Sequence, residues 1–390
     1  MITVDEALAK LFTLVHPLDT QTVPLAQAGD RVLAQDAVAT RDQPPFDGSA
    51  MDGYAVQAND VRPGAVLDVI GEAAAGHRFE GTVGPGQAAR IFTGAPVPIG
   101  ASQVVIQEDV VRDGDQITLG DALGDKPHIR PLGSDFRVGD TLTAPRRLSP
   151  SDIALLASMN VAQVTVTRKP RVALMSNGDE LVMPGETPNP DQIIASNTFG
   201  LKALLDRLGA ETRILPIARD TEQSIKTAFD LAEGADLLVT IGGASVGDHD
   251  LVGHVVADLG MDRSFYKVAM RPGKPLMAGL MGKAAMLGLP GNPVSAMVCG
   301  HIFLAPMVRV MLGLPAQPTT RRRAKLGCDI PPGGPREHYM RAALEDGVII
   351  PENRQDSSLL SILAHADALM VRPANDAPRA KGDEIDSIAL

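Results

Sequence analysis

The sequence predicts a multidomain chain that joins an α/β domain with a mostly parallel sheet to β-rich segments. Three observations lead there. The 390 residues exceed what one compact core usually holds, about 100–200 residues. From Arg171 onward, short apolar runs alternate with helical patterns, the signature of parallel strands covered on both faces. Residues 41–136, and the chain after Leu314, are instead rich in Gly, Pro and short Val/Ile runs, as all-β segments are.

Taken in order, VDEALAKLFTL from Val4 reads as an amphipathic helix to about Leu14, and Ala26–Val38 as a short helix or strand. AVLDVIGEA, QAARIFTG and SQVVIQEDVV within residues 41–136 read as strands separated by DGD and GD turns. Ser149-Pro150-Ser151-Asp152 opens a helix, since a Ser cap before Pro is an N-terminal signal. The alternating region follows. RVALMS is a strand, TFGLKALLDRLG a helix, TRILPIA a strand, TEQSIKTAFDLAE a helix and DLLVTIGG a strand. DLVGHVVADLG is a helix, while FYKVAM and AAMLGLPG are strands. The apolar stretch Val294–Leu312 has a membrane-like composition, but His301, Pro306 and Arg309 interrupt it, so a buried helix is expected. The remainder reads as a small all-β C-terminal domain.

Composition excludes several classes. With 36 Lys+Arg against 47 Asp+Glu the net charge is −11, and aromatics are 3%, so neither a basic duplex-binding face nor base-stacking platforms are expected. No nucleic-acid or membrane partner is expected. Two cysteines, Cys299 and Cys328, cannot frame a disulfide scaffold and suit a reducing, cytoplasmic setting. There is no Walker A loop, no GxGxxG and no HExxH. GASVG at residues 243–247 matches the GxSxG nucleophile elbow with Ser245, but Asp248, His249 and Asp250 follow it, and no HGGG segment accompanies it. The serine-hydrolase reading is therefore set aside.

The strand-end loops carry the chemistry. Asn177-Gly178-Asp179-Glu180 follows RVALMS, and GGASVGDHD follows DLLVTI. Arg271-Pro272-Gly273-Lys274-Pro275 follows FYKVAM, and LPGNPVS follows AAMLG. Two loops are acidic and two suit anions. Asn292 is expected to cap a helix that begins at Pro293, with Ser295 in its anion-favouring first turn. Carboxylates facing basic loops fit a phosphate ester held with a divalent metal, because Asp and Glu hold Mg2+ while leaving its other positions to water or phosphate oxygens.

Together, PFDGSAMDGYAV, RIFTGAPVP, GSDFRVGD, SNGDEL, GGASVGDHD, RPGKP and GLPGNPVS resemble, in this order, the molybdopterin molybdenumtransferase (MoeA) family, related to the gephyrin E domain. The resemblance implies an extended linking domain over 1–40 and 137–170 and a β-rich inserted domain over 41–136. It further implies a molybdopterin-binding α/β domain over 171–315 and a C-terminal β-barrel over 316–390. The implied reaction takes adenylylated molybdopterin and molybdate as substrates, uses Mg2+ and releases AMP. A homodimer is implied, with the active site between subunits and Asp52, Thr93 and Asp135 facing the α/β domain of the partner, and the preceding adenylyltransferase of the pathway is an expected partner.

By the same resemblance Glu180, Asp220, Asp248 and Asp250 match acidic positions, with Asp52, Thr93, Asp135, Glu180, Asp220 and Asp250 as catalytic residues and Asp248, Asp250 and Glu180 as metal ligands. Lys267, Arg271, Lys274, Pro275 and Ser295 match substrate-binding positions, as do Arg341, Ser357 and Ser361 in a segment that closes the pocket. The chain departs from the common pattern at Arg271 (often Lys), Gly48 (often Asn), Asn177 (often Thr) and Asp356-Ser357-Ser358 (often Gly-Ser-Gly). The last departure leaves a non-enzymatic pterin carrier open, and related α/β domains leave the adenylyl transfer itself open.

Overall fold

The computed structural model describes residues 1–242 and 251–390. The chain forms two compact units, one of Met1–Gln21 with Val166–Leu390 and one of Thr22–Thr165.

The Thr22–Thr165 unit is built on a six-stranded sheet. Its strands run in the order Gln103–Ile106, Gly53–Val56, Gln87–Ile91, Val66–Ala73, Gln116–Leu119, Val110–Asp113. Only Val66–Ala73 and Gln87–Ile91 pair in parallel. Alternation along the strands sends Tyr54, Val56, Ala88 and Ile117 into one cluster and Ala55, Ile91 and Val104 into another. The expected helix spans Pro150–Ser158. Ser149 Oγ accepts the Asp152 amide at 3.2 Å, and the Asp152 carboxylate accepts the Ser149 amide at 2.9 Å, so two orphan donors of the first turn are satisfied reciprocally.

In the other unit, the N-terminal helix spans Val4–Leu14 and buries Val4, Ala7, Leu8 and Leu11, the i, i+3, i+4, i+7 stripe of an amphipathic helix. The α/β sheet has six strands. They are β1 (Arg171–Ser176), β2 (Glu211–Ile214), β3 (Leu237–Ile241), β4 (Asp262–Tyr266), β5 (Met277–Met281) and β6 (Ala284–Leu289), in the order β2-β1-β3-β6-β5-β4. The first four in that order are parallel, and β5 runs antiparallel to both its neighbours. Helices α1 (Asn197–Leu208), α2 (Glu222–Leu231) and α3 (Leu251–Asp258) follow β1, β2 and β3. One face buries Met175, Ile225, Phe229, Val252, Val255 and Met286.

The apolar stretch is one buried helical run over Pro293–Met311, with a π turn at Gly300–Leu304, and 83% of its most apolar window is buried. It lies against α1. A Cβ on Gly200 would meet Met297, and one on Gly300 would meet Leu201, so glycine permits the close approach.

Two expectations are corrected here. FYKVAM is not one strand. β4 ends at Tyr266, Lys267 adopts φ +75°, and Met270–Arg271 pairs instead with Glu337–His338. The antiparallel β5, MAGLM, carries little strand signal of its own, because Gly279 weakens its strand signature. Gly279 is there because a Cβ would collide with the Asp262 carbonyl of β4.

The C-terminal strands are β7 (Arg322–Leu326), β8 (Glu337–Glu345), β9 (Val348–Pro351), β10 (Ala368–Arg372) and β11 (Glu384–Ala389). The order β8-β9-β7-β11-β10 closes because β8 also pairs with β10, giving a five-stranded barrel. The all-β expectation needs one amendment, a short helix over Leu360–His365.

At the amino edge of the α/β sheet, Arg168 donates two bonds of 2.7 and 2.6 Å to the Asp236 carboxylate, which also accepts the Arg171 amide at 2.8 Å. Burial alone would raise the Asp236 carboxyl, but the Arg168 bonds and the Arg171 amide outweigh it and hold the group below its ordinary value. Asp236→Ala is expected to cost about 2 kcal/mol of stability in denaturant unfolding at pH 7. Since the folded carboxyl is the stronger acid, this contribution is full above the unfolded value of about 4 and disappears as pH falls below it. The wild-type and variant curves should therefore begin to approach one another below about pH 4 and draw together as pH falls through the lower folded value.

Candidate functional site

Parallel strands direct their carboxyl ends to one edge, where loops are free to carry ligand groups. A cleft of 1120 Å³ opens along that edge and is lined by loops after β1, β2, β3, β4 and β6.

The acidic side lies over β1 and β2. Gly178 has φ +141°, and a Cβ there would collide with the Glu180 carboxylate, which folds back over it. The two loops are stitched together. Asp220 accepts the Asp179 amide at 3.3 Å, Asp179 accepts the Asp220 amide at 3.2 Å, and Arg219 donates to the Asp179 and Leu181 carbonyls at 3.2 and 3.1 Å. Glu180 and Asp220 both line the cleft. A small parallel ladder, Leu181–Val182 with Ile193–Ile194, adds an apolar rim.

The floor is formed by Asn177, Gly242 and Gly291, at the ends of neighbouring β1, β3 and β6. Asn177 is buried, and its Oδ1 has no hydrogen-bond partner among the described residues. Leu251 and His254 of α3 also line the cleft. Asp248 and Asp250, together with Ser245 and His249, lie outside the described residues. Gly242 and Leu251, which flank that segment, are both cleft residues. Among the described residues no group of three or more metal-ligating side chains is present.

The basic side lies over β5 and β4. Residues 267–276 connect these strands, with the Lys267 amide bonded to the Leu276 carbonyl and the Val268 amide to the Lys274 carbonyl, both at 3.0 Å. Lys267, Lys274 and Pro275 line the cleft. β1 and β5 are three strand spacings apart, roughly 14 Å. No ion pair joins the two sides among the described residues. Arg271, expected beside Lys274, is exposed on the short strand that joins the barrel and is not a lining residue. Burial, and then the charges of Arg271, Arg372, Arg336 and Arg341, push the nearby His338 down to about 4.

The helix starting at Pro293 contributes less than its sequence suggested. The Asn292 side chain makes no cap bond; it donates instead to Ser357 Oγ at 3.0 Å. Ser295 is buried in the first turn and is not a lining residue. Ser357 holds the helix start rather than facing the cleft, and Ser358 is the lining residue from this loop. Arg341 is 2% exposed, with its donors directed to Gln355, Asp356 and Arg354, so it stands behind the wall. Ser361 lies on the short helix, its carbonyl accepting from His365 Nδ1 at 2.7 Å. Sequence reasoning overlooked His254 and Ser358 as lining residues. His254 carries no local signal, because its place depends on the phase of α3.

Within the other unit, three motif segments converge. Asp52 Oδ1 accepts both the amide and the hydroxyl of Thr93 at 2.7 Å. The Ser49 amide bonds to the Ala95 carbonyl, Gly48–Ser49 pairs with Ile129–Arg130, and the Leu132 amide bonds to Asp47. Asp135 is exposed, its amide bonded to the Gln43 carbonyl.

Comparison with known proteins matches residues 2–160 to the MoeA N-terminal region (domains I and II), 173–310 to a probable molybdopterin binding domain and 323–390 to the MoeA C-terminal region (domain IV). A molybdopterin molybdenumtransferase of Haemophilus influenzae is 37% identical over 317 residues, covering 80% of this chain and 78% of that protein. One from a Nostoc species is 35% identical over 399 residues, covering 96% and 91%. Among solved structures, a molybdopterin biosynthesis MoeA protein from Pyrococcus horikoshii superposes with a TM-score of 0.86 at 27% identity, covering 100% of each chain.

Two measurements check this geometry. The Thr93 hydroxyl and amide hold the Asp52 carboxyl below the usual range. In Thr93→Val the Asp52 carboxyl should titrate at a higher pH, read from side-chain carboxyl NMR. Gly178→Ala should displace Glu180 and lower activity by about ten-fold or more, while melting shifts by only a few degrees. Unchanged activity would mean that the Glu180 position is immaterial.

Proposed function

The chain belongs to the MoeA family of molybdopterin molybdenumtransferases, and on that premise we propose that its cleft inserts molybdenum from molybdate into adenylylated molybdopterin and releases AMP. The observation that carries this reading is the division of charge across one sheet edge. Glu180 and Asp220 stand on one side, and Lys267 and Lys274 on the other. A ligand that bridges them needs a metal-binding anionic centre at one end and room for a free oxyanion at the other. A pterin pyrophosphate beside molybdate has that form.

Glu180 and Asp220 offer hard oxygen donors, which suit Mg2+. Asp248 and Asp250 are assigned with Glu180 as its ligands by sequence alone. Bound there, Mg2+ would offset charge on the phosphoanhydride. In that bond's cleavage, water adds across the P–O–P link and yields AMP and the pterin phosphate. Lys267 and Lys274 hold molybdate by charge. As the two dithiolene sulfurs bind molybdenum, one oxo group leaves as water with the two thiol protons. Ser358 and the helix start at Pro293 bound the cleft, and Arg341 and Ser357 support that wall from behind.

Asp356 in place of glycine is compatible with catalysis, because its carboxylate accepts the Ser358 amide and hydroxyl at 2.8 and 2.6 Å and is not among the residues that line the cleft. The carrier alternative thus loses its motive. We further propose a cytoplasmic homodimer in which Asp52, Thr93 and Asp135 of one protomer complete the partner's cleft, and supply of substrate by the preceding adenylyltransferase.

Incubation with adenylylated molybdopterin, Mg2+ and molybdate should release AMP. Glu180→Gln should lower kcat about 100-fold. Lys274→Ala should raise the molybdate KM about ten-fold with a smaller change in kcat. AMP at the level of the enzyme-free blank would contradict the reading.

A further inference from the structure

We infer that Gln355, on the barrel side of the cleft, is a positioning residue of this reaction. It locks Arg341 and the loop 354–358 so that the Ser357–Ser358 wall is held against the helix start at Pro293. The inference rests on the reading of the cleft as the substrate site.

The Gln355 amide is satisfied at both ends. Its Oε1 accepts the Arg341 backbone amide at 3.1 Å, Nε at 3.2 Å and Nη2 at 3.1 Å. Its Nε2 donates to the Arg341 carbonyl at 2.9 Å and the Glu352 carbonyl at 2.8 Å. Few side chains can do both. Glu would keep the acceptor but set a carboxylate against two carbonyls, and Leu would strand three N–H groups.

The rest of the guanidinium grips the loop on either side of Gln355. Arg341 Nη2 donates to the Arg354 carbonyl at 3.1 Å, and Nη1 to the Asp356 carbonyl at 2.7 Å. The grip continues outward. The Ser357 carbonyl accepts the Val294 amide at 3.0 Å, and Ser357 Oγ accepts Asn292 Nδ2 at 3.0 Å. A continuous hydrogen-bonded path therefore runs from strand β8 of the barrel to the first turn of a helix that borders the cleft.

Arg341 is buried and forms no ion pair among the described residues. A buried cation whose hydrogen bonds all go to neutral acceptors, with the Asp356 and Glu352 carboxylates acting on it only at longer range, is a costly way to stabilise a barrel, since apolar residues would serve as well or better. Its place behind the cleft wall gives the arrangement a functional reason. It fixes a backbone that must not yield when an oxyanion binds in front of it.

The test compares Gln355→Leu with wild type by hydrogen exchange and by kinetics. The Val294 amide should exchange about ten-fold faster or more, while barrel amides such as that of Met370 keep their protection. The molybdate KM should rise about ten-fold, with kcat per folded enzyme close to wild type. A purely structural role would speed exchange throughout the barrel and lower only the amount of active enzyme. Wild-type exchange at Val294 would overturn the proposal. If Gln355→Leu fails to fold, Gln355→Glu decides by the same measurement, with faster Val294 exchange expected and unchanged exchange overturning. Failure of wild type to release AMP would instead defeat the insertion reading, a result separate from normal Val294 exchange in the variants.

Discussion

Opposite charges kept apart on one edge of a parallel sheet are the constraint on which the rest depends. Carboxylates and ammonium groups placed within reach would neutralise one another and leave nothing for a ligand. The strand order prevents this. β3 and β6 lie between the acidic loops of β1 and β2 and the basic connection of β4 and β5. Their own ends supply Gly242 and Gly291, which leave the floor open between the two charged banks. The local groups dominate despite a chain charge of −11, because charges beyond about 8 Å are screened at physiological salt.

Each bank is rigid for its own reason. The acidic loops are fixed by Asp179 and Asp220 accepting one another's amides, with Arg219 bridging carbonyls beneath. The basic connection is fixed by paired backbone bonds between residues 267–268 and 274–276. The third wall comes from the barrel. There the loop 354–358 is shaped by a buried guanidinium and an amide rather than by glycine, and Asp356 turns inward on Ser358 to replace the missing conformational freedom. A change of sequence thus preserves a backbone path by a different physical means.

Much of this was legible in the sequence. The periodicity of VDEALAKLFTL, the Ser-Pro start at Ser149 and the alternation after Arg171 foretold their elements, because each depends on local chemistry. The β5 strand was hidden by Gly279, whose reason is the neighbouring strand and not its own sequence. Glu180, Asp220, Lys267, Lys274 and Pro275, which motif reasoning singled out, line the cleft, since loops that follow strands inherit the strand edge. Ser295, Arg341 and Arg271 do not line it, because side-chain direction within a helix turn, a barrel and a short linking strand is set by packing that motifs do not encode. His254 reached the cleft through helix phase alone.

Crystals soaked with AMP, Mg2+ and molybdate, with data collected at the molybdenum absorption edge, test the central claim most directly. Charge division predicts an anomalous molybdenum peak beside Lys267 and Lys274, and the AMP phosphate on the side of Glu180 and Asp220. Molybdate among the carboxylates, or either ligand bound outside the cleft, would contradict it.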